Sequence, residues 1–268
     1  MRKADKIKLS VIVGVSLLAF VVGCVDTAVQ PIPTSINYNS DINVVNLTAG
    51  TGTATVSVYD AVVDKDSLAV NVLTTKIDYS SALLNGSSVA EGSTVPTSAY
   101  QTVPAGGKAI VVTYSNTSVP ADTFKLTTDT DYKMRLYIVG DASTGGRSLV
   151  KSTERYIWQT PGSADGAALF PADSGWIRFF NGSVNAGSVS QVEIKGGSVD
   201  TTVAVALSFK GTSPYIQVPS GTAYTLFVTV GANVDSSQTV TPGSKGRYTT
   251  VVYGDTTAGV QVKVLTDD

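Results

Sequence analysis

The sequence predicts an all-β protein whose exported part forms two tandem domains, each a sandwich or a barrel of short strands. The chain is rich in Val, Thr, Ser, Gly and Tyr and poor in Leu, Met and Glu, which is typical of strands. Short runs of alternating apolar and polar residues recur between clusters of Gly, Asn, Asp and Pro. Four motifs also occur twice in the same order, which indicates an internal repeat.

The N-terminal segment has the features of a bacterial export signal. Four basic residues lie within residues 2–8, and an apolar run follows at residues 11–22. That run is shorter than the roughly 20 apolar residues that a membrane-spanning helix needs. It ends at residues 21–24 in Val-Val-Gly-Cys, which resembles the lipobox of bacterial lipoproteins. The sequence therefore predicts a lipoprotein signal peptide at residues 1–23.

Cys24 is the predicted lipid attachment residue. The lipobox resemblance implies diacylglycerol on its sulfur, cleavage before it and acylation of the new amino group, and two or more acyl chains make a stable anchor. The alternative is a chance cysteine beside an ordinary cleavage site, but Cys24 is the only cysteine in the chain. We expect a lipid-anchored protein of the bacterial cell envelope. The outer membrane is favoured in a Gram-negative cell, because Val25 rather than Asp follows the cysteine.

The charge balance and the lack of histidine exclude several classes of function. The precursor has 19 basic and 21 acidic residues, and removing residues 1–23 takes away four basic residues and one acidic residue, which leaves 15 and 20. A mildly acidic chain is not expected to bind nucleic acid. The absence of histidine excludes His-based catalytic triads and His-ligated metal sites.

The predicted domain boundaries follow shifts in composition. Residues 24–40 are rich in Pro, Thr and Asn and form the lipidated tether. We place the first domain at residues 41–160, with an insertion near residues 62–93. A linker covers residues 161–175, and the second domain covers residues 176–268.

The internal repeat consists of four pairs of similar segments. The pairs are residues 42–46 with 177–181, 56–58 with 192–194, 98–106 with 213–221, and 132–141 with 248–255. The first segment of each copy ends in Asn, which tolerates turn conformations and can cap its own backbone. The third contains Val-Pro-Ala/Ser-Gly, in which Pro fixes φ and Gly supplies a positive φ. The segments that follow this turn, residues 109–114 and 224–230, are the best candidates for central strands.

These motifs resemble the bacterial family known as domain of unknown function 4397. Its members open with a strand that ends in Asn and then carry a Tyr-x-x-Val-Pro-Ala-Gly turn and a late Tyr-Thr-Val strand before Gly. The second copy is the closer match, at residues 177–181, 215–221 and 248–255. The resemblance implies immunoglobulin-like sandwiches on an exported protein, and it implies no reaction. The predicted fold is therefore two tandem immunoglobulin-like antiparallel β-sandwich domains after a signal peptide and short tether.

Few residues in the chain are arranged for chemistry. Asp60, Asp64 and Asp66 could supply oxygen ligands to Ca²⁺, but Lys65 lies among them and no closing Glu follows. Residues 143–147 lack the Gly-Lys-Ser/Thr ending of a phosphate-binding loop, and we interpret them as a hairpin turn. We expect no catalytic residue, no metal and no cofactor, so the protein is predicted not to be an enzyme.

Large aromatic residues are the remaining candidates for an interaction surface. Tyr156, Trp158 and Trp176 flank the predicted linker, and exposed aromatic rings can stack on sugars. The alternative is that these residues, with Phe179 and Phe180, pack the domain junction and the first strand of the second core. The second interpretation is the favoured one.

The leading functional hypothesis is a non-catalytic binding or structural role at the envelope. The expected partners are the membrane, through lipid on Cys24, and an envelope protein or glycan. One alternative is a carbohydrate-binding or adhesive module. Another is a fibre subunit that self-associates by strand donation from the tether. A hydrolase with a His-free site ranks last.

Overall fold

The computed structural model describes most of the chain after residue 38. The described ranges are residues 39–63, 70–76, 85–97, 100–130, 132–143, 146–156, 171, 173–184, 188–230, 233–255 and 259–267. The predicted signal peptide, most of the predicted tether and most of the predicted linker therefore lie outside the described residues. Within the described ranges, the search for a helix long and apolar enough to cross a membrane finds none.

The described residues form eighteen strands. In chain order they are β1 (Asn39–Ala49), β2 (Ala54–Val63), β3 (Val70–Lys76), β4 (Asn85–Val89), β5 (Ser93–Val95), β6 (Gln101–Pro104), β7 (Gly106–Tyr114), β8 (Asp122–Thr128), β9 (Tyr132–Asp141), β10 (Ser148–Tyr156), β11 (Ser174–Asn181), β12 (Ser188–Gly196), β13 (Val199–Ser208), β14 (Ile216–Pro219), β15 (Tyr224–Val230), β16 (Asn233–Val240), β17 (Arg247–Asp255) and β18 (Gly259–Thr266). The all-β prediction is confirmed.

The first ten strands form one sandwich of two sheets. One sheet has the order β10-β9-β1-β5, with β6 also paired to β1, and the other has the order β3-β2-β7-β8, with β4 also paired to β2. Apolar side chains from both sheets fill the space between them, among them Val44, Val56, Ile110 and Leu136. Burial of these side chains is the main term that holds the sandwich together.

The last eight strands form a second sandwich with the same pairing scheme. Its sheets have the orders β14-β11-β17-β18 and β13-β12-β15-β16. The described residues of the second sandwich contain no strands that correspond to β4 and β5. β7 and β15 are interior strands of their sheets, as predicted for residues 109–114 and 224–230.

Each sandwich departs from a purely antiparallel arrangement at one pair of strands. β1 pairs with β9 in parallel, and β11 pairs with β17 in parallel. A parallel pair needs a long connection, and here almost the whole domain lies between the two strands. Parallel strands are usually covered on both faces, and these strands follow that rule.

The sheets that contain β1 and β11 pack against each other, so the molecule has four layers. Alternate residues of β1 face opposite sides: Ile42 and Val44 lie in the first sandwich core, whereas Val45 and Leu47 lie in a separate cluster between the sandwiches. The side chains of β9 alternate in the same way. Continuous burial of the central strands is the consequence.

The first strand ends in Asn only in the second copy, at Asn181, because β1 continues past Asn46 to Ala49. The local bonds and the positive φ values expected at the Asn and Gly residues are present in both copies. The Asn46 side chain accepts from the Thr48 amide at 3.1 Å, and the Asn181 side chain accepts from the Ser183 amide at 3.0 Å, so each asparagine caps its own backbone. The glycine of each Val-Pro-Ala/Ser-Gly turn has positive φ, +121° at Gly106 and +75° at Gly221.

Candidate functional site

The contact between the two sandwiches has an apolar end and a polar end. Along the face of β9 that meets the second sandwich, Tyr137 and Val139 belong to the apolar cluster. Arg135 lies on the same face, two residues before Tyr137, and is buried although it carries a charge. The polar end, which we call the junction, is the candidate functional site.

The apolar end fixes the distance between the central sheets. The rings of Tyr137 and Phe180 are stacked, with centroids 4.0 Å apart and an interplanar angle of 12°. Leu47, Val251 and Leu265 complete the contact, and all are buried. Stacked aromatic pairs add about 0.5–1.5 kcal/mol to the energy of area burial.

The junction is organised around the Asp267 carboxylate, which is fully buried. Arg135 from the first sandwich donates to one oxygen of this carboxylate through Nη1. Thr249 Oγ1 and the Tyr215 hydroxyl donate to the other oxygen at 2.7 and 2.8 Å. These three side chains, one of them positively charged, donate to the carboxylate, so the buried charge of Asp267 is compensated.

Arg135 uses its other nitrogens within the same network. Its Nη2 donates to the Thr266 carbonyl at 2.6 Å, and its Nε donates to Asn43 Oδ1 at 3.2 Å. The Asn43 amide in turn donates to the Pro96 carbonyl at 2.8 Å. The guanidinium therefore binds both sandwiches at once.

Arg178 continues the network on the second sandwich. Its Nε donates to Thr249 Oγ1 at 2.8 Å, and its Nη2 donates to Ser152 Oγ of the first sandwich at 3.3 Å. Its guanidinium lies 4.6 Å from the centre of the Tyr215 ring. A cation over an aromatic face contributes about 0.5–2 kcal/mol. Chemically, the network can hold a fixed geometry, but Asp267 has no oxygen left over to act as a base.

A cleft opens beside this network. Its volume is about 240 Å³. Residues of β5 with Thr97 and Tyr100 form one wall, β18 forms the other, and Asn43 and Arg135 form the floor. The lining residues are Asn43, Ser93, Thr94, Thr97, Tyr100, Arg135, Lys263, Val264, Leu265 and Thr266.

Lys263 is the cation of the cleft that the network does not use. It lies two residues before Leu265 on β18 and so shares the face that meets the first sandwich. Among the described residues its ammonium has no ion-pair partner. Lys133, which does not line the cleft, and Arg135 lie 5.2 and 5.5 Å from the centre of the Tyr100 ring.

Glu91 lies at the turn between β4 and β5, next to Gly92, whose Cα approaches the Tyr253 ring of the second sandwich. Burial raises the pKa of the Glu91 carboxyl above its usual 4.5, and the negative charge of Asp255 raises it further. The folded chain therefore holds this proton more tightly than the unfolded chain does. Above the unfolded pKa, the free energy of unfolding falls as the pH rises through the folded pKa.

We expect Glu91→Gln to raise the Tm at about pH 7 and to leave it unchanged at about pH 3.5, where the carboxyl is protonated in both states. The neutral amide removes both the desolvation of a charge and the repulsion by Asp255. Thermal unfolding followed by circular dichroism at the two pH values measures the difference. An equal change at both pH values would mean that charge is not its cause.

The structure describes only some of the residues singled out in the sequence. Cys24 and Trp158 lie outside the described residues. Tyr156 ends β10, where its backbone pairs with Tyr132, and its side chain is not described. Trp176 lies on β11, between Gln217 of β14 and Arg247 of β17, and is partly exposed.

Phe179 and Phe180 are packed in the interior, as the alternative interpretation of the aromatic residues predicts. Phe179 lies in the second core, and Phe180 lies between the sandwiches. The proposed interaction surface of Tyr156, Trp158 and Trp176 remains a prediction.

Of the three carboxylates considered as metal ligands, only Asp60 is described, and its surroundings differ from those of a metal site. Asp60 lies in β2, not in a loop, and accepts from the buried Lys108 ammonium at 2.7 Å. Asp64 and Asp66 lie outside the described residues. No group of three or more Cys, Asp or Glu side chains suited to a metal occurs in the described ranges.

Sequence reasoning missed Arg135, Asp267 and Lys263. One sequence feature could have pointed to Arg135, which shares a strand face with Tyr137 and Val139. A face that carries large apolar residues beside a charged one indicates a surface that another part of the protein covers. Asp267 and Lys263 carried no comparable signal in the sequence.

No protein-family model matches the chain, and no curated protein matches it. Among solved structures, the TIE protein of Bacillus anthracis is similar at a TM-score of 0.25 and 10% identity, over 82% of this chain and 34% of that protein. This chain thus spans about a third of its length. A family-26 carbohydrate-binding module of Eubacterium rectale Amy13K, solved with maltoheptaose, has a TM-score of 0.24 and 12% identity over 84% and 96% of the two chains. A candidate cell-adhesion protein of Bacteroides fragilis has a TM-score of 0.26 and 9% identity over 86% and 97%. At TM-scores this low, these similarities give no information about the function of this chain.

Proposed function

We propose that this chain is a lipid-anchored protein of the bacterial cell envelope that binds a partner at the junction of its two sandwiches and catalyses no reaction. The observation that carries the proposal is the cleft built by both sandwiches beside the buried Arg135–Asp267 network. A site of this kind needs the two sandwiches held in one arrangement.

The contacts between the sandwiches supply that arrangement. Domains joined by a linker usually move relative to each other unless their interface is large and apolar. Here the Tyr137–Phe180 stack holds one end, and the Arg135–Asp267 pair holds the other. The cleft is therefore preformed, which lowers the entropy lost when a ligand binds.

The residues around the cleft support binding and not catalysis. The carboxylate at the junction, Asp267, already accepts from three side chains. The chain has no histidine to act as a general base. The remaining side chains of the cleft are hydroxyls, one amide, one phenol, aliphatic groups and cations, which are groups that orient a ligand.

The membrane anchor is supported by the lipobox at residues 21–24. With lipid on Cys24, the tether would hold the sandwiches outside the bilayer, and the outer membrane is the favoured location in a Gram-negative cell. We further propose that the two sandwiches belong with the domain of unknown function 4397 family. The motif resemblance at residues 177–181, 215–221 and 248–255 supports this assignment.

Replacing Cys24 tests the anchor directly. We expect Cys24→Ser to block lipid attachment, so that the protein is recovered as unprocessed precursor or in the soluble fraction. Labelling with a radioactive fatty acid, followed by membrane fractionation and immunoblotting, measures both effects. Ser16→Ala, a change within the apolar run, should be processed like the natural chain. Unchanged labelling and membrane retention of Cys24→Ser would refute the lipid anchor.

A further inference from the structure

We propose that the junction cleft binds one acidic sugar residue, such as a uronic acid, through an ion pair between its carboxylate and Lys263. The inference deepens the proposed binding function and rests on it. Size, charge and hydrogen-bonding chemistry each support it independently.

The size of the cleft suits a single ring. Its volume is about 240 Å³. Sites for drug-sized ligands measure about 300–1,000 Å³. A longer glycan or a folded protein surface would not enter, although the sugar could be the terminal residue of a longer chain that lies outside the cleft.

The charge of the cleft selects an anion. The Arg135 guanidinium is compensated by Asp267, and that pair adds no net charge. Lys263 is left as a positive charge on the cleft wall, with no ion-pair partner among the described residues. An anion that enters this partly enclosed space finds a single ammonium group and no competing carboxylate among the lining residues.

The hydrogen-bonding groups suit a sugar better than a simple carboxylic acid. Four of the residues that line the cleft carry hydroxyl groups, namely Ser93, Thr94, Thr97 and Thr266. A hydroxyl group both donates and accepts, so it can pair with sugar hydroxyls in either direction. Thr94 already donates to the Thr97 carbonyl at 3.0 Å, which fixes its oxygen as an acceptor for the ligand.

Apolar surface in the cleft matches the other face of a pyranose ring. Leu265 lies on the β18 wall, and Tyr100 also lines the cleft. The C–H groups of a sugar ring pack on surfaces of this type, and its hydroxyls point towards the polar groups. A carboxylate without a ring would leave this apolar surface unused.

Nuclear magnetic resonance titrations of the full chain in detergent test the proposal. The probes are glucuronate, glucose, which has the same ring without the charge, and acetate, which has the charge without the ring. We expect glucuronate to shift the amide signals of residues 93–95, 97 and 263–266 and to bind at least about fivefold more tightly than glucose or acetate. Equal affinity for glucose would refute the role of charge, and equal affinity for acetate would refute the role of the ring.

Two lysine variants identify the cation. Lys263→Gln should remove the preference for glucuronate over glucose, whereas Lys125→Gln, a change on the exposed face of β8, should keep it. A preference that survives Lys263→Gln would overturn the assignment of Lys263. If none of the probes binds while Cys24→Ser still releases the protein from the membrane, the acidic-sugar proposal fails and the envelope anchor stands.

Discussion

Replacing Arg135 with methionine should lower the free energy of unfolding by about 3–5 kcal/mol. Methionine keeps much of the side-chain volume but leaves the Asp267 carboxylate buried without its countercharge. The carboxylate is 0% exposed, and the Arg135 side chain is 3% exposed, so water cannot replace the lost partner in the native structure. Denaturant unfolding, followed by tryptophan fluorescence and circular dichroism, measures the loss.

Two controls separate the buried pair from ordinary surface charge. Lys151→Met breaks an ion pair with Asp129 in which the two side chains are 38% and 49% exposed. Its cost should be at most about 1 kcal/mol. The double variant Arg135→Met with Asp267→Leu should recover most of the loss, because it removes both buried charges together. A loss in Arg135→Met no larger than in Lys151→Met would mean that the junction is open to water.

Local features of the fold follow directly from short stretches of sequence. Asn181 ends β11 and Asn46 lies within β1, and in both places a side chain that bonds two residues ahead requires only a few neighbouring positions to form. Period-two alternation likewise needs only the strand itself. The all-β fold and the interior position of β15 were therefore accessible from composition and pattern.

The contact between the sandwiches was not accessible in the same way. On β9, the face that carries Arg135, Tyr137 and Val139 would face water in an isolated sandwich. The residues that cover it, such as Phe180 and Val251, come from a different domain and are far along the chain. Alternation shows that a strand has two faces, but it does not show which partner covers the second face.

The cleft is still less visible in the sequence. Its lining comes from β1, from β5 with Thr97 and Tyr100, from β9 and from β18. The parallel pairing of β1 with β9 places Asn43 directly opposite Arg135. The second sandwich then brings Lys263 to the same place. A site assembled from four separate segments leaves no local motif, which is why the aromatic residues near the linker were the more obvious candidates.

We expect Phe180→Ala to lower the free energy of unfolding by about 3–5 kcal/mol, as large-to-small changes of buried aromatic residues do. The ring is fully buried and stacks on Tyr137 of the other sandwich. The lost ring leaves a cavity between two sheets that Leu47, Val251 and Leu265 still hold in contact, so collapse around the cavity is limited. Chemical denaturation measures the change in the free energy of unfolding.

A double-mutant cycle shows whether this energy couples the two sandwiches. Phe180→Ala and Tyr137→Ala should be non-additive by about 0.5–3 kcal/mol, since they remove the two halves of one contact. Phe179→Ala provides the matched comparison, because Phe179 faces the second core and belongs to a different cluster from Tyr137. Its effect should add to that of Tyr137→Ala within about 0.5 kcal/mol. Additivity in both cycles would mean that the sandwiches are stable independently, and the preformed cleft would lose its physical basis.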